Sequence, residues 1–145
     1  MVWSARSRYR SQKAEGEVLD ALDAGSTLRG VRVLVVEDDF LILTELKDVL
    51  LDAGALVVGP CRTIKDALVS ITRDDVAVAI LDIRVGRETI APVACQLSRR
   101  RIPFLFYTAQ TDMDPIHAEW PRCTIVSKPA QAEIIVGAVT ATLRG

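Results

Sequence analysis

From Val31 onward the chain alternates compact β-branched runs with stretches of helical period, and this alternation constrains the fold more than any other feature. The runs are VRVLVV (31–36), ALVVG (55–59), VAVAILD (76–82), IPFLFYT (102–108) and CTIVS (123–127). Near-continuous apolar runs of this length suit strands buried on both faces. Between them lie helical patterns. FLILTELKDVLLDAG (40–54) places Ile42, Leu46, Val49, Leu50 and Ala53 on one side, with Gly54 as its stop. Thr63 caps a helix reaching about Arg73, with Asp66 at the reciprocal capping position. RETIAPVACQLSRRR (87–101) turns Ile90, Val93, Ala94 and Leu97 inward, with Pro92 in its first turn. Residues 109–121 are polar and hold Pro115 and Pro121, so only a short helix fits. Pro129 opens a last helix with Ile135, Ala138, Val139 and Leu143 as its inner stripe.

Strands alternating with helices predict an α/β fold: a doubly wound, flavodoxin-like (βα)5 parallel sheet of five strands, order 2-1-3-4-5, in three layers α/β/α. The length of 145 residues fits one such domain, taken as residues 30–145 behind an N-terminal extension, 1–29. Residues 1–13, MVWSARSRYRSQK, carry basic residues and no acid, and lack the apolar stretch of a secretory signal. They read as a mobile tail. Residues 14–24, AEGEVLDALDA, read as a short amphipathic helix that caps the domain or pairs with a second chain as a homodimer. Because the core pattern starts at Val31, a chain without residues 1–28 is expected to fold.

Net charge near −1 gives no reason to expect direct nucleic-acid binding, and no apolar run is long enough to span a bilayer. Cys61, Cys95 and Cys123 have neither metal-ligand spacing nor a disulfide framework, and read as small packing residues in a reducing, cytoplasmic setting. His117 stands in a polar, Pro-rich segment and is expected at the surface; Arg99, Arg100 and Arg101 suit a helix C-terminus.

Ligands of such sheets sit beyond the carboxyl ends of the strands, where strand order reverses. There the first strand ends in Glu37, Asp38 and Asp39, the third in Asp82, the fourth in Thr108 and Ala109, and the fifth in Ser127 and Lys128. Converging carboxylates repel unless a cation neutralises them. An oxygen-only ligand set suits Mg2+, with Mn2+ as the substitute, and Lys128 adds a fixed ammonium. A carboxylate so placed can attack phosphorus while cation and lysine stabilise the phosphoryl oxygens.

Over residues 31–143 the chain resembles the receiver domain of two-component response regulators. The resemblance rests on Glu37–Asp38 after VLVV, Asp82 in AILD, YTA at 107–109 and Lys128–Pro129. It implies that Asp82 accepts a phosphoryl group from a histidine kinase or phosphotransfer protein. It also implies that Asp38 and Asp82 bind Mg2+ directly, Glu37 through water, and the Arg84 backbone carbonyl completes the ligands. Lys128 would contact the phosphoryl group, and Thr108, with Ala109 behind it, would close on it. Asp39 is left to cap the following helix. The chain would then be a single-domain phosphorelay switch rather than a turnover enzyme, without room for an output domain after Gly145, acting through an unidentified downstream protein or as a phosphate sink.

Departures from the pattern matter. Ile125 stands where the family carries a switching aromatic, and Ala130 where a phenylalanine is common. The loop after Asp82 looks short. Arg84 and Gln110, each two residues past a site residue, are candidates for tuning phosphoryl lifetime; Arg84 either shields the acyl phosphate or points to solvent. These departures motivate an alternative, a degenerate receiver that binds proteins without phosphorylation. An Mg2+-dependent phosphohydrolase on a similar sheet lacks its general acid, because Arg84 occupies that place.

Overall fold

A computed structural model describes residues 2–4, 27–109 and 115–145, the first three as backbone only. The expected helix over 14–24, most of the expected tail and Gln110 lie outside the described residues.

The strands are β1 (Val2–Ser4), β2 (Arg32–Val36), β3 (Leu56–Cys61), β4 (Val78–Leu81), β5 (Arg84–Val85), β6 (Glu88–Thr89), β7 (Phe104–Thr108) and β8 (Ile125–Ser127). The helices are α1 (Phe40–Asp52), α2 (Ile64–Arg73), α3 (Ala91–Arg99), α4 (Ile116–Glu119) and α5 (Ala132–Arg144). The main sheet runs β1-β3-β2-β4-β7-β8. Its five inner-to-edge strands β3-β2-β4-β7-β8 are parallel, which is the order 2-1-3-4-5 expected of the alternating pattern.

Side-chain alternation along each strand divides the core in two. Val33, Val35, Val57, Ile80, Leu105, Tyr107 and Val126 pack with Leu46 and Leu50 of α1 and Ile135 and Val139 of α5. Leu34, Val36, Val58, Leu81 and Phe106 turn the other way, onto Ile64 and Ile71 of α2, Val93 and Leu97 of α3, and Ile116 of α4. Every β4 residue is buried, as helices on both faces require. Among the described residues no helix is long and apolar enough to cross a membrane.

Four boundaries differ from expectation. Val2–Ser4 pair antiparallel with the outer edge of β3, so a three-residue edge strand occupies part of the expected tail. Leu28 is fully buried and its N–H bonds to the Ala53 carbonyl, so the core starts ahead of residue 30. The expected helix over 87–101 starts only at Ala91, because Glu88–Thr89 fold back on Arg84–Val85 as a hairpin. Gly86 turns that hairpin at φ 64°, a conformation open to glycine at little cost. Finally, α5 begins at Ala132 with Gln131 as its cap, leaving Pro129 in the preceding loop rather than in the first turn.

Candidate functional site

The carboxyl ends of β2 and β4 meet where strand order reverses. Parallel pairing places Val36 opposite Leu81, and the next N–H along, that of Asp82, bonds to the Val36 carbonyl at 3.0 Å. On the other side of β2 the register slips between Leu34 and Val36, so β3 carries an extra residue at Gly59–Pro60. Gly59 has φ 89°, and a side chain there would lie 2.8 Å from the Cys61 nitrogen. This bulge aims the Cys61 carbonyl at the Glu37 N–H, 3.0 Å away. Arg62, just beyond, donates to the Asp38 carbonyl at 3.1 and 3.3 Å.

The strand end therefore holds its three acids in three different states. Asp39 caps α1: one carboxylate oxygen accepts the N–H groups of Leu41 and Ile42 at 2.9 and 3.2 Å, as expected of it. Asp38 is half-buried, and its Oδ2 accepts the Gly86 N–H at 2.8 Å. Glu37 is 1% exposed. Its Oε2 accepts the Asp39 N–H at 3.1 Å, and its Oε1 is ion-paired with Lys128 Nζ. The same ammonium donates to Asp82 Oδ2 at 3.0 Å. Lys128 thus bridges two carboxylates from the end of β8.

Burial governs the electrostatics. It pushes the Glu37 carboxyl up to about 7, with the Asp82 charge adding to the rise and the bonds from Lys128 and Asp39 restraining it. For Lys128, burial opposes the charged form, but the bonds to Glu37 and Asp82 outweigh it and the ammonium pKa rises. Thr108 is 2% exposed at the end of β7, Ala109 is exposed beside it, and the Thr108 carbonyl accepts the Lys128 N–H at 3.1 Å. Arg84 lies on β5 with its side chain exposed. Ile125 is 36% exposed on edge strand β8.

Oxygens of Glu37, Asp38 and Asp82 all lie within 4.8 Å of one another. Ligands about 2.1 Å from one Mg2+ stand roughly 3 Å apart when adjacent and about 4 Å when opposite. The donor set is all oxygen and the net charge of the cluster is negative even with Lys128 in place. Residues of this type and spacing fit a hard divalent cation.

The structure brings Glu37, Asp38, Asp82, Thr108 and Lys128 to one rim. It adds two participants that the sequence pattern left unnoticed, the Gly86 amide on Asp38 and the Tyr107 hydroxyl, which accepts the Ala130 N–H at 3.1 Å. Gly86 had a signal, a glycine in the loop after Asp82; a backbone amide as the partner of Asp38 had none.

No protein-family model and no curated protein sequence matches the chain. Solved structures do. A response regulator receiver protein from Sinorhizobium medicae aligns with 81% of this chain and 98% of its own at 21% identity and a TM-score of 0.69. A receiver domain protein from Methanospirillum hungatei aligns with 79% and 94% at 18% identity and a TM-score of 0.71. The signal receiver domain of a modulated diguanylate cyclase from Desulfovibrio desulfuricans aligns with 79% and 94% at 22% identity and a TM-score of 0.72. This chain has the receiver-domain fold. Within it, the β5–β6 hairpin flanks the acidic rim through the Gly86 amide, and the extra strand β1 extends the sheet at the far edge.

Proposed function

We propose that the chain is a response regulator receiver that accepts a phosphoryl group on Asp82. The observation that carries this reading is the Lys128 ammonium held between Glu37 and Asp82, beside a third carboxylate, at the switch point of a receiver fold. Glu37, Asp38 and Asp82, with the Arg84 carbonyl, would hold Mg2+, or Mn2+ in its place. When bound, the ion supplies charge stabilisation for the phosphoryl oxygens.

The chain's own residues do the rest. An Asp82 carboxylate oxygen attacks phosphorus. The phosphorus–nitrogen bond of a phosphohistidine breaks, the imidazole leaves with the electron pair, and an acyl phosphate remains on Asp82. Lys128 exchanges its bond to Asp82 for one to a phosphoryl oxygen, keeping Glu37 as its anchor. Thr108 closes on the group from the end of β7. The partner on the donor side is a histidine kinase or phosphotransfer protein. Phe40 and Leu41, 62% and 72% exposed beside Asp39, offer it an apolar contact at the mouth of the site. The exposed Ile125 supports a second reading, a receiver-like module whose β8 edge binds a protein whatever the state of Asp82.

Beryllofluoride, a mimic of the phosphoryl group, separates the two. Fluorine NMR of the wild type with Mg2+ is expected to show bound fluoride that vanishes in Asp82→Asn and on chelation. Absence of bound fluoride in the wild type, with Mg2+ binding intact, would favour the second reading.

A further inference from the structure

Lys128 reaches the acids from an edge of the sheet. It follows β8, a three-residue edge strand, and its side chain is long and rotamer-rich. Something must hold it across Glu37 and Asp82. Two bonds from β7 bracket it. The Lys128 N–H donates to the Thr108 carbonyl at 3.1 Å, and two residues on, the Ala130 N–H donates to the Tyr107 hydroxyl at 3.1 Å. The Tyr107 ring also lies 5.8 Å from Lys128 Nζ, centroid to nitrogen.

Tyr107 is suited to be the fixed end. It is 5% exposed, pairs in register with Val126, and packs in the core with Ile135 and Val139 of α5. Its ring is therefore immobilised by the core while its oxygen emerges at the β8–α5 loop. A phenylalanine would keep the packing and leave the half-buried Ala130 amide without its acceptor. Ile125 cannot substitute, since alternation along β8 turns it to the face opposite Val126 and Tyr107.

We propose that Tyr107 is a positioning residue for phosphoryl acceptance: by accepting the Ala130 amide, its hydroxyl holds the loop that presents Lys128 to Glu37 and Asp82. This rests on the reading of Asp82 as the phosphoacceptor. The Tyr107 hydroxyl bonds to the Ala130 amide, on the loop that carries Lys128, so its effect falls on the lysine and not on metal binding.

The test compares the full-length wild type with Tyr107→Phe in three measurements. Hydrogen exchange at the Ala130 amide, without ligand, is expected to quicken by about tenfold. Mg2+ affinity is expected to stay within about twofold, because the carboxylates are untouched, while beryllofluoride affinity at saturating Mg2+ falls by about tenfold. A general loosening would lower both affinities together along with the melting temperature, and that result would overturn the proposal. So would unchanged Ala130 exchange or unchanged beryllofluoride affinity in Tyr107→Phe when the wild type binds normally, leaving the phosphoacceptor reading intact. A wild type that binds no beryllofluoride overturns both.

Discussion

Glu37 is a carboxylate buried deeply enough that the Lys128 ammonium does not fully compensate it. Its pKa stands near 7 against an ordinary 4.5, chiefly through burial. Between those values the folded chain binds a proton there that the unfolded chain has released, so this group's contribution to stability falls as pH rises through that interval and is lost above about 7. Lys128, shifted upward, stays charged throughout and does not reverse the sign. Thermal melts of the metal-free protein from about pH 5 to pH 8 should therefore fall along a slope that Glu37→Gln flattens, and Mg2+ should restore most of the loss at the alkaline end. A slope unchanged in Glu37→Gln would place the titration elsewhere. Asp39 makes a simpler forecast: Asp39→Ala removes the α1 cap and should cost about 1 kcal/mol, read by denaturant unfolding. At this scale the carboxylates and Lys128 were legible in the sequence, since each ends a β-branched run and the fold gathers strand ends. Tyr107 was legible only as a strand residue of the IPFLFYT run; its bond to a backbone amide 23 positions away has no sequence signature.

Periodicity announced the elements, and their ends were set by features it does not register. The helical spacing of Ile90, Val93, Ala94 and Leu97 is real, and all four are buried, yet Ile90 precedes α3 and the residues before it form the β5–β6 hairpin. The hairpin has a use, since its Gly86 amide holds Asp38. Gly86→Ala meets no neighbour within 4 Å but must adopt φ 64°, at a cost of about 1–2 kcal/mol. We expect that loss of stability together with weaker Mg2+ binding, measured by calorimetric titration; unchanged binding would separate the hairpin from the metal ligands. Pro129 suggested a helix start because proline favours a first turn, but Gln131 takes the cap and Ala130 is held outside by Tyr107. Leu28 stood beyond the obvious pattern, isolated between Thr27 and Arg29, and only the folded chain reveals it packed against α1. Leu28→Ala should cost about 2–5 kcal/mol, and a chain begun at residue 30 should melt lower than one begun at 27. Equal melting of the two would remove Leu28 from the core.

Across the whole molecule the arrangement follows from winding a parallel sheet both ways from β2. That reversal sends the connections after β2 and β4 to opposite faces of the sheet and opens a crevice between their carboxyl ends, where Glu37, Asp38 and Asp82 share one rim. The alternation of runs carried enough information for this topology. It carried none for β1, three residues in an otherwise polar, basic stretch, whose pairing depends on the free edge of β3 and not on its own composition. We propose the rim as a phosphoryl acceptor with Asp82 as the nucleophile. Intact-protein mass spectrometry after incubation with acetyl phosphate tests it most directly, with Asp82→Asn and a chelated sample alongside. One phosphoryl adduct is expected on the wild type, dependent on Mg2+ and absent from Asp82→Asn; an adduct that survives Asp82→Asn, or a wild type that takes up neither acetyl phosphate's phosphoryl group nor beryllofluoride, would contradict the assignment.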